Sequence, residues 1–501
     1  MKIGNKIKIL SVALLALLAT ASCIKEESVP NNEREKVSLD TWIKLHKPEL
    51  VNNYQEEGGY YVEILDGDTN ENISADGNNL GSEPIMEQDT CWVFTNMTGR
   101  YINGAICMTR DHKLAELCGT FTYFTHYAPF VNYGGSVNVG LLEGTYIAMR
   151  NELKIGDKTY KLHKGSKVRL YLPSSIAYGA SGSSTEGGYE GQYSLDSSRP
   201  LMLDIDVLSV IKNPSDKELD MIKSYIGIDV SWKQATKPET EKENENDDLK
   251  LTGLYYNLDC NPDKNTPYEY HKRYIQPQKD GLNNPYEDNK IYAPGNMIEI
   301  NQKINEILLE RFGAGLSSSE RNDNTQVTKN GRANVWYLVR LMDGFVVDTN
   351  ISEIRSLVFK ESAPTCEVFS YSPSDDEGKE EGARQAIGAW YYCIPQMHYG
   401  AYGQIVTTSG YAYGAAGLSG TTTTETSSSA SSYYNAMNYY NYYNSYYGYN
   451  AMNYYNYYDY SYYNYNYNYD TEEDITTTTT ISTEILPYTP LVFTLYVEPY
   501  E

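Results

Sequence analysis

Short runs of alternating apolar and polar residues predict a strand-rich first half. The pattern has period two from Lys167 to Leu172, and an apolar run extends from Leu201 to Val210, so both stretches are predicted strands. Apolar residues at helical spacing predict a helix that begins at Gly144. Further predicted elements are a helix over 39–50 and strands over 60–65, 91–95 and 119–127. Mostly antiparallel strands with one helix indicate an α+β fold.

The second half repeats this pattern with longer interruptions. Residues 253–256 open it in the same way that residues 59–61 open the first half. A helical pattern surrounded by polar loops fills 261–332, which is predicted to be an insertion. Between the halves, a helix over 215–226 precedes a charged run over 237–248 without apolar residues. That run predicts a solvated linker. Predicted strands of the second half cover 335–342, 390–394 and 491–497.

One segment of the second half has a composition that does not suit a core. Of the 51 tyrosines in the chain, 19 lie in Tyr433–Tyr469 together with 10 asparagines, and the string YNAMNYYNYY occurs there twice. Such polar-aromatic sequence buries too little aliphatic surface to fold alone, so a disordered Tyr-rich insertion is predicted over 420–484. It is either an adhesive loop that stacks on surface glycans or proteins, or a passive insertion.

The charge and the N-terminus bear on partners and location. Lys plus Arg number 41 against 66 Asp plus Glu, a net charge of −25, which argues against a nucleic-acid partner because phosphate binding needs a basic face. Residues 1–22 have a lysine-rich start and an apolar run too short to cross a bilayer, so they predict a cleaved secretory signal. Small residues precede Cys23 and resemble a bacterial lipobox, with a tether over 23–37 behind it. The prediction is a surface-exposed lipoprotein of the outer membrane, anchored through Cys23; the alternative is an ordinary signal with an incidental cysteine.

The remaining cysteines and the common catalytic motifs point to no cofactor. Six cysteines follow Cys23, none in a CxxC pair and none with zinc-ligand spacing, so buried thiols are preferred over disulfides. The sequence contains no nucleophile elbow, HExxH string, P-loop or GxGxxG string. We therefore predict neither a metal nor a cofactor.

An ordered set of short motifs occurs in both halves. In the first half Leu172-Pro173 ends a strand, Ala177-Tyr178-Gly179 follows, and Pro200-Leu201 opens the final strand. In the second half the matching strings are Ile394-Pro395, Tyr399-Gly400 and Pro490-Leu491. This order resembles the FKBP-type peptidyl-prolyl cis-trans isomerases. The resemblance implies two FKBP-like domains, each a curved antiparallel sheet packed on a short helix, over 38–212 and 251–501, joined by a linker over 213–250.

The resemblance implies a binding pocket in the second domain. Tyr337 and Asp348 match the polar edge of the family's pocket, Phe369 and Phe493 its aromatic walls, and Tyr399 the hydroxyl that holds the peptide carbonyl. Two departures stand out. Val347 replaces an aromatic residue, and the polar stretch 377–387 offers no recognisable helix with a tryptophan for the pocket floor, so Trp390 is predicted to be a strand core residue.

The first domain keeps less of the family's chemistry. Only Tyr178 is matched, while Met97, Met108, Thr145 and Leu203 stand where the family has pocket residues. Asp111 is an alternative acid if the turn is displaced. A domain that binds without catalysing is preferred here. Of two histidines near the motifs, His126 is predicted to be packed in a strand and His398 to face solvent.

Two functions follow from these patterns. The first is isomerisation of X-Pro bonds in proline-containing polypeptides of the cell envelope or in secreted proteins. This reaction needs no nucleophile, because the planar amide is the more polar state and loses more than the twisted amide on leaving water, so a dry aromatic site lowers the barrier. The alternative is an inactive FKBP-like surface protein that binds proteins or glycans.

Overall fold

The computed structural model describes most of the chain between residues 31 and 500. Cys23, the signal and Tyr433–Tyr469 lie outside the described residues, as does most of the charged linker. The gaps within that span are 67–84, 86–91, 120, 123–124, 134–141, 180–181, 189–190, 228–230, 239–248, 260–296, 314–324, 328–330, 362–363, 365, 373–386, 419 and 429–474.

The first half forms an antiparallel sheet. Its elements in chain order are α1 (Asn31–His46), β1 (Tyr54–Gln55), β2 (Tyr60–Ile64), β3 (Trp92–Tyr101), β4 (Ile106–Thr109), α2 (His112–Cys118), β5 (Phe130–Tyr133), α3 (Glu143–Arg150), β6 (Leu153–Ile155), β7 (Lys158–Tyr160), β8 (Lys167–Leu172), β9 (Ser183–Gly188), β10 (Gly191–Leu195) and β11 (Leu201–Ile211). Within the described residues, seven strands form one sheet in the order β1-β2-β8-β11-β3-β4, with β5 paired to β3. The strands β9 and β10 form a separate hairpin.

The second half forms a second sheet of the same kind. Its elements are α4 (Pro214–Ile226), β12 (Trp232–Thr236), β13 (Lys250–Asn257), α5 (Met297–Phe312), β14 (Ala333–Leu341), β15 (Val346–Thr349), α6 (Ser352–Phe359), β16 (Phe369–Tyr371), α7 (Gly388–Cys393), β17 (Ala401–Thr407), β18 (Thr421–Ser428), β19 (Ile475–Ser482) and β20 (Leu491–Pro499). Seven described strands pair in the order β12-β13-β17-β20-β14-β15, with β16 on β14. The strands β18 and β19 form a hairpin.

The seven-stranded sheets of the two halves therefore share one strand order, and the first half adds a two-stranded sheet of β6 and β7. We call α1 to β11 the first unit and α4 to β20 the second unit. Each unit also begins with a helix that carries a buried glutamate. Glu35 accepts hydrogen bonds from the amide and hydroxyl of Ser174, and Glu218 accepts the same pair from Ser409. Each serine begins the short 3-10 helix after its strand, β8 or β17, so the helix and the sheet are joined in the same way twice.

Alternation along the strands builds the core of the first unit. Every second residue of β3 is buried, from Val93 to Gly99, and β11 buries Leu203 and Ile205 beside it. The helix α3 packs across this face. A Cβ atom at Gly144 would lie 2.6 Å from a methyl carbon of Leu172, so glycine is needed for this close approach.

Several predicted elements are confirmed, and two are wrong. The helix at Gly144 and the strands at Lys167–Leu172 and Leu201–Ile211 are present. The predicted strand over 119–127 is wrong: Gly119, at φ 69°, caps α2 in the left-handed conformation, and the next strand begins at Phe130. The predicted strand over 390–394 is also wrong, because those residues form α7 and the start of a 3-10 helix.

Part of the predicted insertion at 261–332 belongs to the core of the second unit. Ile304 and Leu308 on α5 are buried against Leu338 and Tyr402 of the sheet. The Tyr402 hydroxyl also donates to the Leu308 carbonyl at 3.0 Å. The helix α5 is thus a layer over this sheet. Across the described residues, no helix combines the length and apolar character needed to cross a membrane.

Candidate functional site

The two units place the same loop after the same strand. In the first unit β8 leads through a 3-10 helix to Ala177-Tyr178-Gly179, and in the second β17 leads through a 3-10 helix to Ala412-Tyr413-Gly414. The strand registers agree, because Leu172 pairs with Leu201 as Thr407 pairs with Leu491. Tyr413 is therefore the structural counterpart of Tyr178, the place that the motif comparison gave to Tyr399.

Tyr399 lies before β17 rather than after it. Its hydroxyl donates to the Arg332 carbonyl at 2.8 Å, near the first residue of β14. Matching Ile394-Pro395 with Leu172-Pro173 was wrong, because the first string follows a helix and the second follows a strand. The neighbouring His398 was predicted to face solvent, yet it is only 7% exposed and bonds to the Thr325 hydroxyl at 3.1 Å.

Trp390 lies at the centre of an aromatic cluster. It is carried by α7, and its ring lies 4.9 Å from that of Phe369 at 90°, 5.5 Å from Tyr337 and 5.9 Å from Phe493. All three are edge-to-face contacts, the arrangement that aromatic rings favour. The expectation that Trp390 sits in a strand is corrected. The short helix needs only residues 388–393, so the polar stretch before it does not prevent its formation.

A polar edge borders this cluster. The Tyr337 hydroxyl donates to Asp348 Oδ2 at 2.9 Å, and Arg355 Nη1 donates to Asp348 Oδ1 at 3.1 Å. Arg355 is held in turn by two hydrogen bonds to Glu361, at 2.6 and 2.7 Å. Burial, together with the charge of Asp348, raises the pKa of Tyr337 above its ordinary value of 10.0, so this phenol keeps its proton.

Tyr413 joins the polar edge from the loop after β17. Burial and then the charge of Asp348 raise its pKa above the ordinary value of 10.0. Tyr413 also packs against the same core cluster as Trp390 and Val347. The structure thus brings together Tyr337, Asp348, Phe369 and Phe493 of the residues named from the sequence, and it adds Tyr413, Trp390 and Arg355.

The matching place in the first unit is filled by methionine. Gly99 pairs with Leu203 and Met108, as Val339 pairs with Phe493 and Asp348, so Met108 occupies the place of the acid. The Tyr178 hydroxyl contacts the Met108 sulfur at 3.5 Å. Asp111, the alternative acid, caps α2 by accepting from the Leu114 amide at 3.0 Å, so it serves the helix rather than a pocket.

The thiols and the His, Cys, Asp and Glu side chains of the described residues form no second candidate site. Cys393 is a buried free thiol, whereas Cys118 is free and exposed, which departs from the prediction of buried thiols. Cys91 and Cys260 lie outside the described residues. No group of three His, Cys, Asp or Glu side chains in the described part of the chain is arranged to hold a metal ion.

Sequence comparison gives no relatives for this chain, but structure comparison gives weak similarities. No protein-family model matches it, and no curated protein does. FkpA from Escherichia coli is 16% identical over 42% of this chain and 73% of its own, with a TM-score of 0.22. The three FKBP domains of wheat FKBP73 are 10% identical over 89% of this chain and 96% of their own, with a TM-score of 0.21. A peptidyl-prolyl cis-trans isomerase from Pseudomonas syringae is 20% identical over 36% of this chain and 97% of its own, with a TM-score of 0.21. At TM-scores this low, we infer function from this chain's own topology and contacts.

Two site residues carried a sequence signal that the motif comparison missed. Ala-Tyr-Gly occurs at 412–414 as it does at 177–179, and in each case it lies four residues beyond the residue that follows the strand, β17 or β8. Trp390 stands three residues after Ile387, and Ile387 precedes α7 as Leu142 precedes α3, which puts Trp390 at the place of Thr145. No signal distinguished Arg355, since its role depends on tertiary contacts.

Proposed function

We propose that the second unit binds X-Pro segments of polypeptides and isomerises them, in the manner of FKBP-type peptidyl-prolyl isomerases. The observation that carries this proposal is the Tyr337–Asp348 hydrogen bond at the edge of the Trp390 cluster. It combines an apolar floor that suits a proline ring with a fixed polar edge that suits a peptide backbone. The shared strand order of both units supports an FKBP-like fold for each, in two domains.

The chemistry requires position and desolvation rather than a nucleophile. Rotation about an X-Pro bond must overcome a barrier of about 18 to 20 kcal/mol, since amide resonance is lost in the twisted state. The twisted amide is less polar than the planar one. A site lined by Trp390, Phe369 and Phe493 therefore destabilises the twisted amide less than it destabilises the planar amide, relative to water. A Tyr413 hydroxyl that donates to a carbonyl of the segment other than that of the rotating amide would orient the segment without strengthening the amide resonance.

A binding role without catalysis is the second candidate. The first unit favours it there, because Met108 and Thr145 replace the acid and the floor tryptophan while the sheet is kept. In the second unit the observation in its favour is Val347, which is fully buried where the resemblance implies an aromatic residue. Client proteins or surface glycans would then be the ligands, and the Tyr-rich segment would contribute to their binding.

An assay of prolyl-peptide isomerisation separates the two candidates. The protein should begin at Ile24, because a start at Ser38 would remove Glu35, whose carboxylate binds Ser174. We expect Asp348→Ala combined with Tyr413→Phe to abolish the acceleration. Rates equal to buffer for the unsubstituted protein, with a prolyl peptide still bound in a titration, would favour binding alone.

We also propose that the chain is a lipoprotein of the outer membrane, anchored through Cys23 and facing outward. The support is the lysine-rich apolar leader and the small residues before Cys23. Cells that express the protein with a labelled fatty acid should label it, and Cys23→Ala should remove the label. Undiminished label in that variant would exclude the anchor.

A further inference from the structure

One short segment contacts both units in alternation. Glu484–Tyr488, here called the linking segment, lies between the hairpin strand β19 and the core strand β20. Glu484 accepts from Arg110 Nη2 of the first unit at 2.5 Å, and Tyr488 lies edge-on to Trp92 at 4.5 Å. Leu486, between them, packs against the core of the first unit. These three side chains belong to every second residue of the segment, and Tyr488 lies in a turn with φ 52°.

Ile485, between Glu484 and Leu486, packs instead against the second unit. Ile485 is buried in the core cluster that contains Trp390. Its backbone exchanges two hydrogen bonds with Leu418, at 2.7 and 2.8 Å, at the base of the β18–β19 hairpin. A Cβ atom at Gly417 would lie 2.2 Å from the Ile485 carbonyl oxygen, so the segment lies directly on the second unit. The linking segment is therefore held from both sides.

The segment also reaches the loop of the proposed site. The Tyr488 amide donates to the Gly414 carbonyl at 3.2 Å, immediately after Tyr413. A second contact between the units lies nearby: His126 Nε2 is 2.7 Å from Asp343 Oδ2, and the His126 ring lies 4.9 Å from Phe345. His126 is buried as predicted, but in a loop with a partner in the other unit rather than in a strand.

Arg110 is buried at the boundary of the two units and bonds to both. Its Nη1 donates to the His126 carbonyl of the first unit at 3.0 Å, and its Nη2 pairs with Glu484 of the second. The side chain of Arg110 is 1% exposed and that of Glu484 is 5% exposed. The Arg110 guanidinium lies 4.8 Å from the centre of the Phe130 ring. By strand register, Asn350 stands at the same place in the second unit, since Thr109 and Thr349 occupy equivalent pairs. Asn350 bonds inward, donating to the Val335 carbonyl at 2.9 Å. Asn350 thus bonds within its own unit, whereas the longer Arg110 side chain also reaches Glu484 of the other unit.

We propose that the first unit is a support for the site of the second, and that Arg110 is a positioning residue that fixes the linking segment and, through it, Tyr413. This inference rests on the proposed function for its effect on activity. The contacts it concerns are structural and can be measured without any substrate. Loss of the Arg110–Glu484 pair frees the segment, so the loop around Tyr413 opens more often and binds a prolyl peptide less well. The bond rotation itself is unchanged once the peptide is bound.

The test compares Arg110→Met with Arg150→Met in the chain that begins at Ile24. Arg150 is the control in the same unit. Its side chain is more exposed, at 36%, but it also lies over an aromatic ring and pairs with a glutamate, here Tyr146 and Glu57 of the first unit. Hydrogen exchange by mass spectrometry should show at least about fivefold faster exchange in peptides that cover 412–418 and 484–488 for Arg110→Met only. KM for a prolyl peptide should rise about three- to tenfold in that variant, with kcat unchanged.

Two further variants keep the test decisive. If Arg110→Met fails to fold by circular dichroism, Glu484→Gln keeps the side-chain shape, removes the charge and should give the same exchange pattern. The double variant Arg110→Met with Glu484→Leu replaces a buried ion pair by an apolar pair, which commonly restores stability. Hydrogen exchange in the two peptides should therefore be slower in the double variant than in Arg110→Met. Unchanged exchange in both peptides in a folded variant would overturn the proposal. An inactive unsubstituted protein would instead overturn the proposed function and leave the exchange result to stand by itself.

Discussion

Tyr178 and Tyr413 occupy the same point of the two units but face different partners. Each precedes a glycine in the left-handed conformation, at φ 64° and 63°, whose amide donates to the carbonyl of the serine that begins the 3-10 helix. Tyr178 contacts the sulfur of Met108, whereas the charge of Asp348 reaches Tyr413. The backbone geometry is thus retained in both units while the polar edge is present in one.

This difference predicts that Tyr413 rather than Tyr399 supports the activity. Tyr413→Phe removes a hydroxyl beside Asp348, and one hydrogen bond to a peptide is worth roughly 0.5–1.5 kcal/mol, or about two- to tenfold in kcat/KM. Tyr399→Phe loses only a bond to the Arg332 carbonyl. Isomerase rates on one prolyl peptide should fall in the first variant alone. The opposite ranking would restore the assignment to Tyr399.

A second prediction concerns the Tyr337–Asp348 pair. Tyr337→Phe and Asp348→Asn each break the same hydrogen bond, so their effects on kcat/KM should be less than additive in the double variant. The coupling is expected to be on the order of 1 kcal/mol. Ile222→Val combined with Asp348→Asn is the comparison, since Ile222 on α4 packs in a separate core cluster and its effect should add to that of Asp348→Asn. Fully additive losses for Tyr337 and Asp348 would mean that the pair does not act as a unit.

The strand pattern was readable from the sequence because strands bury every second residue. Lys167–Leu172 and Leu201–Ile211 follow that rule, and their positions are confirmed. The helix α7, with six residues, is too short to show a helical period. Trp390 therefore looked like part of a strand, with Tyr391 and Tyr392 beside it. A helix of this length depends on packing against the sheet, which only the tertiary structure shows.

The contacts between the units were not predictable for a different reason. Arg110 and Glu484 are far apart in the chain, as are His126 and Asp343, and nothing local marks either pair. The sequence interpretation placed Glu484 at the end of the Tyr-rich insertion, yet its carboxylate is buried. The composition of a segment describes its average character. It does not reveal that a single residue such as Glu484 pairs with a side chain of the other unit.

The buried glutamate of α4 predicts a pH effect on stability. Burial raises the pKa of Glu218 above its ordinary value of 4.5, although hydrogen bonds from Ser409 oppose the shift. The folded protein thus holds this proton more tightly than the unfolded chain. Its contribution to stability is complete below the unfolded pKa of 4.5 and is lost as the pH rises through the raised folded pKa.

Glu218→Gln cannot ionise, so its free energy of unfolding should rise relative to the unsubstituted protein as the pH increases above about 4.5. Urea titrations at a series of pH values measure this difference. Glu353→Gln provides a control of opposite sign. Partial burial of Glu353 opposes ionisation, but hydrogen bonds from its own amide and from Arg311 lower its pKa overall. A pH-independent difference for Glu218→Gln would show that this carboxylate is not desolvated.

The last prediction concerns the Tyr-rich segment, whose limits the structure revises. Residues 421–428 and 475–482 pair as β18 and β19, with Ser428 opposite Ile475, so a deletion over 420–484 would remove the hairpin and Glu484 with it. Removing 429–474 and joining Ser428 to Ile475 through Asn-Gly closes the hairpin with a turn that suits paired strands. We expect the circular dichroism spectrum and isomerase rate to be retained, since loop length contributes little to closure entropy. Binding to extracellular proteins or glycans should weaken, because 19 tyrosines are removed. A lower melting temperature in the shortened protein would show that 429–474 supports the fold.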